Sequence, residues 1–72
     1  MGAMKMAYDP ELMLYEEPAS MEVADWERFC ERMREEAQRY PDSENVRLTL
    51  QFAEQSLDRF RGMWAGLAAK AA

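Results

Sequence analysis

Histidine is absent from these 72 residues, and cysteine occurs once, as Cys30. The chain therefore lacks the commonest protein ligand of zinc, and a single cysteine excludes an intramolecular disulfide. Chains this short bury little apolar surface, so they usually need a disulfide, a metal or a partner. We therefore expect no cofactor, and we expect association with a protein to supply the missing stability.

Long apolar runs are also absent, since the longest one covers only residues 63–69. A helix that spans a bilayer needs roughly 20 such residues. Asp9 and Glu11 come too early for a signal peptide, and a lone thiol fits a reducing compartment. These features predict a cytoplasmic protein without membrane contact. Residues 1–3 have the composition of a cloning remnant and carry no weight in the fold prediction.

Basic residues are scarce in the first third of the chain. Residues 1–25 carry one lysine and six acids, whereas residues 26–72 carry eight acids and eight bases, so the net charge of −5 comes from the first segment. An acidic segment on a neutral body suits a phosphate backbone poorly, so direct nucleic-acid binding is not expected. It is better suited to a protein partner, with a basic surface as one option.

Two ladders of apolar residues flank the short sequence Tyr40-Pro41-Asp42-Ser43. Alternate steps of three and four place each ladder on one stripe of an α-helix, and the short connection predicts an antiparallel hairpin. The first ladder comprises Val23, Trp26, Cys30, Met33, Ala37 and Tyr40. The second comprises Val46, Leu50, Ala53, Leu57, Phe60, Trp64 and Leu67. These thirteen residues are the predicted core.

The predicted fold is therefore all-α, an antiparallel two-helix hairpin behind a short N-terminal arm. Residues 1–19 form the acidic arm and residues 20–72 the hairpin, with helices over about 21–40 and 44–69 and a turn at 41–43. Ser20 is the expected cap of the first helix, and Asp42 or Ser43 that of the second. Since one hairpin is small, we expect two copies to form a four-helix bundle.

The arm has two possible conformations. Asp9-Pro10-Glu11 is typical of a helix start, which would make residues 12–15 helical, but four consecutive apolar residues also fit an extended segment. In either case residues 12–15 are expected to fold over Trp64 and Leu67. Glu11, Glu16 and Glu17 would then face a partner.

Catalytic chemistry is not indicated. Cys30 lies within the first ladder and has no histidine as a base, so it is predicted to be a core residue. Glu27, Glu31 and Glu35 lie off the apolar stripe and are predicted to form a solvated face. We expect no enzyme, because no nucleophile–base pair and no metal ligand set can be assembled.

Leu48 and Phe52 are apolar residues off the stripe, four positions apart. Such a pair on one helix face favours an interface. With the acidic arm, it predicts a non-catalytic protein-binding module: a small helical adaptor, chaperone or inhibitor. The alternative is a phage-type inhibitor whose acidic surface blocks a nucleic-acid-binding site on a host protein.

Overall fold

The computed structural model describes residues 14–71, which contain two packed α-helices. Helix α1 spans Val23–Arg39 and helix α2 spans Glu44–Ala71. Ion pairs between Arg34 and Glu54 and between Arg61 and Glu27 show that the two helices are antiparallel. The helical hairpin is thus confirmed, although α1 begins two residues later than predicted and α2 continues two residues further.

The start of α1 corrects the predicted cap. The N-cap residue is Glu22, whose backbone is extended and whose side chain makes no capping hydrogen bond. Ser20 acts from outside the helix: its hydroxyl donates to Asp25 Oδ2 over 2.6 Å and accepts from the Glu22 N–H over 3.2 Å. Ser20 therefore stabilises the first turn of α1 through Asp25. Because Glu22 is extended, the chain before it does not continue the helix axis.

The turn between the helices is closed by hydrogen bonds at both ends. The Tyr40 N–H donates to the Glu36 carbonyl oxygen over 2.8 Å, and Pro41 follows, where a helix cannot continue easily. The buried Ser43 hydroxyl accepts from the Val46 N–H over 3.2 Å, as an N-cap residue does. Ser43 is thus the cap of α2, and the chain reverses within a few residues.

The core lies along the seam between the helices. Its buried apolar side chains are Trp26, Phe29, Cys30, Met33, Val46, Ala53 and Leu57. Partly buried side chains pack on it, namely Tyr15, Val23, Ala37, Tyr40, Leu50 and Phe60. Phe29, which lies beside the ladder, is buried as deeply as the ladder residues. The ring of Trp26 is the centre of an aromatic group, with ring centroids at 5.8 Å from Phe29, 5.6 Å from Phe60 and 6.2 Å from Phe52.

Two predicted core residues are exposed instead. Trp64 and Leu67 retain 44% and 50% of their accessible surface. The indole N–H of Trp64 donates to the Met21 carbonyl oxygen, which places Trp64 level with the start of α1. The rest of α2 extends beyond α1, so its side of the seam lacks an opposing helix within residues 14–71. The heptad pattern continues past the point where its partner ends.

The core assignment predicts unequal costs for two substitutions. Leu57→Ala should lower the free energy of unfolding by about 2–5 kcal/mol, because it leaves a cavity among buried side chains. Glu31→Ala, at an exposed position of α1, should change it by less than about 0.5 kcal/mol. Urea denaturation followed by circular dichroism, at one protein concentration, measures both. Equal effects would mean that the helix faces are assigned incorrectly.

Candidate functional site

In the structure the arm is the segment 14–22, which lies alongside α1 with Tyr15 near the turn and Glu22 at the start of α1. Residues 14–22 are not helical, and the Tyr15 hydroxyl donates to Glu36 Oε1 over 2.9 Å near the far end of α1. The prediction that the arm covers Trp64 and Leu67 is therefore wrong for Tyr15, while Leu14 is almost fully exposed. Of the possible arm helix over residues 12–15, Leu14 and Tyr15 are not helical, so the helical alternative is wrong there, whereas residues 12 and 13 lie outside the described residues. The arm takes this course because Tyr15 finds apolar contacts and a buried acceptor there.

Glu36 is that acceptor, and the sequence does not single it out. The residue is only 9% exposed, and its carboxylate also pairs with Arg39 over 3.2 Å. A buried carboxylate needs such partners, because burial without them costs several kcal/mol. Burial raises the pKa of Tyr15 to about 12, and the hydrogen bond to Glu36 and its negative charge add to the effect. Tyr15 and Glu36 thus fasten the arm to the hairpin.

The base of the arm is held by the two tryptophans. Trp26 donates its indole N–H to the Ser20 carbonyl oxygen over 2.8 Å, and Trp64 donates to that of Met21 over 2.9 Å. One donor comes from each helix, so both helices position two consecutive arm residues. A cavity of about 500 Å³, open to solvent, lies beside this point, lined by Glu22, Val23, Ala24 and Trp64. Because its N–H is already bonded, Trp64 offers only its ring face to this cavity.

Exposed apolar side chains form a strip along one flank of α2. It consists of Leu48, Phe52, Met63 and Leu67, which are 36–51% exposed. At about 100° per residue these four side chains fall within an arc of about 100°. The strip includes both apolar residues predicted to bind a partner and extends the surface past them by two. The ring of Phe52 does not point wholly away from the seam, because its edge contacts Trp26.

The acidic residues predicted to contact a partner lie on the arm and not on the apolar strip. Glu16 and Glu17 are exposed on the arm, and Glu11 lies outside the described residues. On the helices, five acids are paired with arginines. The pairs are Asp25–Arg28, Glu54–Arg34, Glu36–Arg39, Glu44–Arg47 and Glu27–Arg61. Much of the charge on the helices is therefore neutralised locally, and Glu16 and Glu17 are the described part of the predicted acidic surface.

Cys30 and the three glutamates of α1 are the residues whose possible chemical roles the sequence raised. Cys30 is fully buried, and burial raises the pKa of its thiol. Glu31 and Glu35 are exposed, and Glu27 is paired with Arg61 over 2.7 Å. Among residues 14–71, no group of three or more histidine, cysteine or acidic side chains could hold a metal ion. Among the described residues, the candidate site is therefore the apolar strip.

Comparison of the chain with protein-family models, curated proteins and solved structures gives no match. Neither α1 nor α2 combines the length and apolar character that a bilayer-spanning helix needs, as far as the chain is described. Any functional interpretation therefore depends on the surface of the hairpin itself.

The Tyr15–Glu36 contact predicts a stability change at high pH. With its pKa raised to about 12 from a usual value of 10, folded Tyr15 keeps a proton that the unfolded chain loses. The contribution to stability is complete below pH 10 and should be lost as pH rises towards 12. Denaturation midpoints measured across this range should fall more steeply for the wild type than for Tyr15→Phe.

Tyr40→Phe is the matched control, since it removes a neighbouring tyrosine and leaves Tyr15 in place. It should retain the steep decline. If Tyr15→Phe also retains it, the arm is not held by this hydrogen bond.

Proposed function

We propose that this protein is a non-catalytic protein-binding module, a small helical adaptor, chaperone or inhibitor, whose first partner is a second copy of itself. Two hairpins would pair through the apolar strip and form a four-helix bundle. The observation that carries the proposal is the strip of Leu48, Phe52, Met63 and Leu67, which remains exposed beside an already complete seam.

A helix with two apolar stripes needs cover on two sides. The strip is centred roughly 110° around α2 from the direction of Val46, Ala53 and Leu57, which face α1. Within a hairpin α1 covers one direction only, whereas a four-helix bundle places a second helix beside α2. The second stripe of α2 is therefore the kind of surface that a bundle buries.

The two helices differ on this flank of the hairpin. Phe29 of α1 and Phe52 of α2 both contact Trp26, so both lie on the same flank. On the α1 side Phe29 is buried, and Tyr15 of the arm packs on the core and bonds to Glu36. On the α2 side Phe52 and Leu48 remain exposed. The arm thus completes the α1 side, and α2 is left as the side that can receive a partner.

The magnitudes favour a reversible dimer. Complete burial of a Leu, Met or Phe side chain contributes roughly 1.5–3 kcal/mol, and about half remains to be gained at each strip position. Four side chains in each of two copies give roughly 6–12 kcal/mol, against an association cost of roughly 4–15 kcal/mol. Because the two are similar, we expect monomer and dimer to exchange over an accessible concentration range.

The alternative function, an acidic inhibitor of a basic nucleic-acid-binding site, has weaker support. The acids of the helices that form ion pairs are balanced by arginines. Glu16 and Glu17 of the arm are exposed acids on a described segment that carries no base. Such a small patch would steer association by charge, and salt would suppress it, whereas contact through the apolar strip should survive moderate salt.

The proposal predicts that charges in the strip prevent self-association. Leu48→Glu with Phe52→Glu should give a helical but less stable monomer, because two carboxylates cannot be buried between copies and the Phe52 contact with Trp26 is lost. Sedimentation equilibrium over micromolar to millimolar concentrations measures the association, and circular dichroism checks the helices.

Ala65→Glu with Ala69→Glu is the matched control, since it adds the same charges at the same spacing on exposed positions of α2, roughly 60–100° from the edge of the strip. It should dimerise like the wild type. A wild-type chain that stays monomeric at millimolar concentration would refute self-association.

A further inference from the structure

The spacing within the apolar strip is the same in both directions along α2. The four strip residues Leu48, Phe52, Met63 and Leu67 are separated by four, eleven and four residues. The buried Ser56 and the exposed Arg59 lie between Phe52 and Met63 and divide the central gap into steps of four, three and four. The midpoint falls between Leu57 and Asp58. Reversing the direction of α2 about this point exchanges the positions of Leu48 and Leu67, and those of Phe52 and Met63.

We propose that two copies pair through antiparallel α2 helices about a two-fold axis that passes between Leu57 and Asp58. Leu48 of one copy faces Leu67 of the second copy, and Phe52 faces Met63. The inference rests on the proposed self-association and adds its direction and register. A two-fold interface uses the same patch on both copies, and a strip that reads equally in both directions meets that requirement with apolar side chains at every outer position.

Charge distinguishes this arrangement from a parallel one. The first turn of α2 carries Glu44 and its last turn carries Lys70. Antiparallel pairing about the proposed axis brings Lys70 of each copy to the level of Glu44 in the other, and it opposes the two helix dipoles. Parallel pairing would set Lys70 beside Lys70 and Glu44 beside Glu44. Glu44 also pairs with Arg47 of its own helix over 3.9 Å, but both side chains are exposed and the pair is weak, so both ends of the interface still favour the antiparallel direction.

The dimensions of the strip fit a modest interface. Leu48 and Leu67 are 19 residues apart, or roughly 28 Å along α2, and a helix is about 10 Å wide. The strip thus covers roughly 300 Å² per copy, about the size of the largest apolar patch on a typical monomer. A standard interface buries roughly 800 Å² on each side, so even the full strip gives a small interface, which suits a reversible dimer. Of the antiparallel two-fold pairings, the register about Leu57 and Asp58 uses all of it.

Arg59 opposes this pairing. In the proposed register the two Arg59 residues lie roughly 4.5 Å apart along the helix axis, on either side of the two-fold. The side chain is exposed and long enough to carry its charge outward into solvent. This reduces the repulsion between the two copies of Arg59 but does not remove it, so it should still weaken the dimer, and added salt should relieve it.

Disulfide trapping tests direction and register. Leu48→Cys and Leu67→Cys chains are oxidised separately and as an equal mixture, with the wild type, whose Cys30 is buried, as the control for other cross-links. We expect disulfide-linked dimers in the mixture, in up to about half of the chains by random pairing, and only the wild-type background in each variant alone. Sedimentation equilibrium of Arg59→Gln should give a dimer several-fold tighter than the wild type at low salt.

The outcomes separate this inference from the proposed function. Cross-linking of each variant by itself indicates parallel helices and overturns the inference while self-association stands. A wild-type dimer that gives no cross-link in the mixture, or whose affinity Arg59→Gln leaves unchanged, has a different register and also overturns it. A monomeric wild type overturns both.

Discussion

Trp26 is the side chain on which the rest of the structure depends. Its ring contacts Phe60 and Phe52 of α2 and Phe29 of α1, and its indole N–H bonds to the Ser20 carbonyl oxygen of the arm. One residue therefore joins all three segments. A hairpin of this size has few large buried side chains, so an aromatic residue with both apolar and polar contacts has a disproportionate effect on packing. The position of Trp26 also brings Phe52 against the core and leaves its outer edge exposed.

The arm adds a second set of constraints. Tyr15 bonds to Glu36 at one end, and Ser20 and Met21 receive the two indole N–H groups at the other. Docking of the arm covers the Glu36 carboxylate, and the Tyr15 hydroxyl and the Arg39 guanidinium offset the cost of that burial. In effect the arm supplies the α1 flank with the cover that a third helix supplies in larger bundles.

The two apolar sides of α2 then define the exposed apolar surface. With 28 residues against 17, α2 extends beyond its partner and carries apolar side chains on two sides. The seam uses one side, and the strip from Leu48 to Leu67 is the other. The apolar surface of α1 is covered by α2 and the arm, whereas one apolar side of α2 remains exposed. Such a hairpin is well suited to pairing through α2. The proposed binding function and the proposed antiparallel register both follow from this asymmetry.

The sequence by itself determined the helices, the turn and most of the seam. Alternate steps of three and four specify which side of a helix is apolar, and Pro41 and Ser43 specify where the chain reverses, since these are local properties. The tertiary structure decided which apolar positions are buried and where the arm lies, because a periodic pattern does not specify either. Trp64 and Leu67 continue the ladder but are exposed, because a periodic pattern does not record where the opposing helix ends. Glu36 looks like a surface residue until Tyr15 covers it, and the arm has no period from which its course could be read. The local sequence determines which side of a helix is apolar. Which segment covers that side depends on contacts between residues distant in sequence.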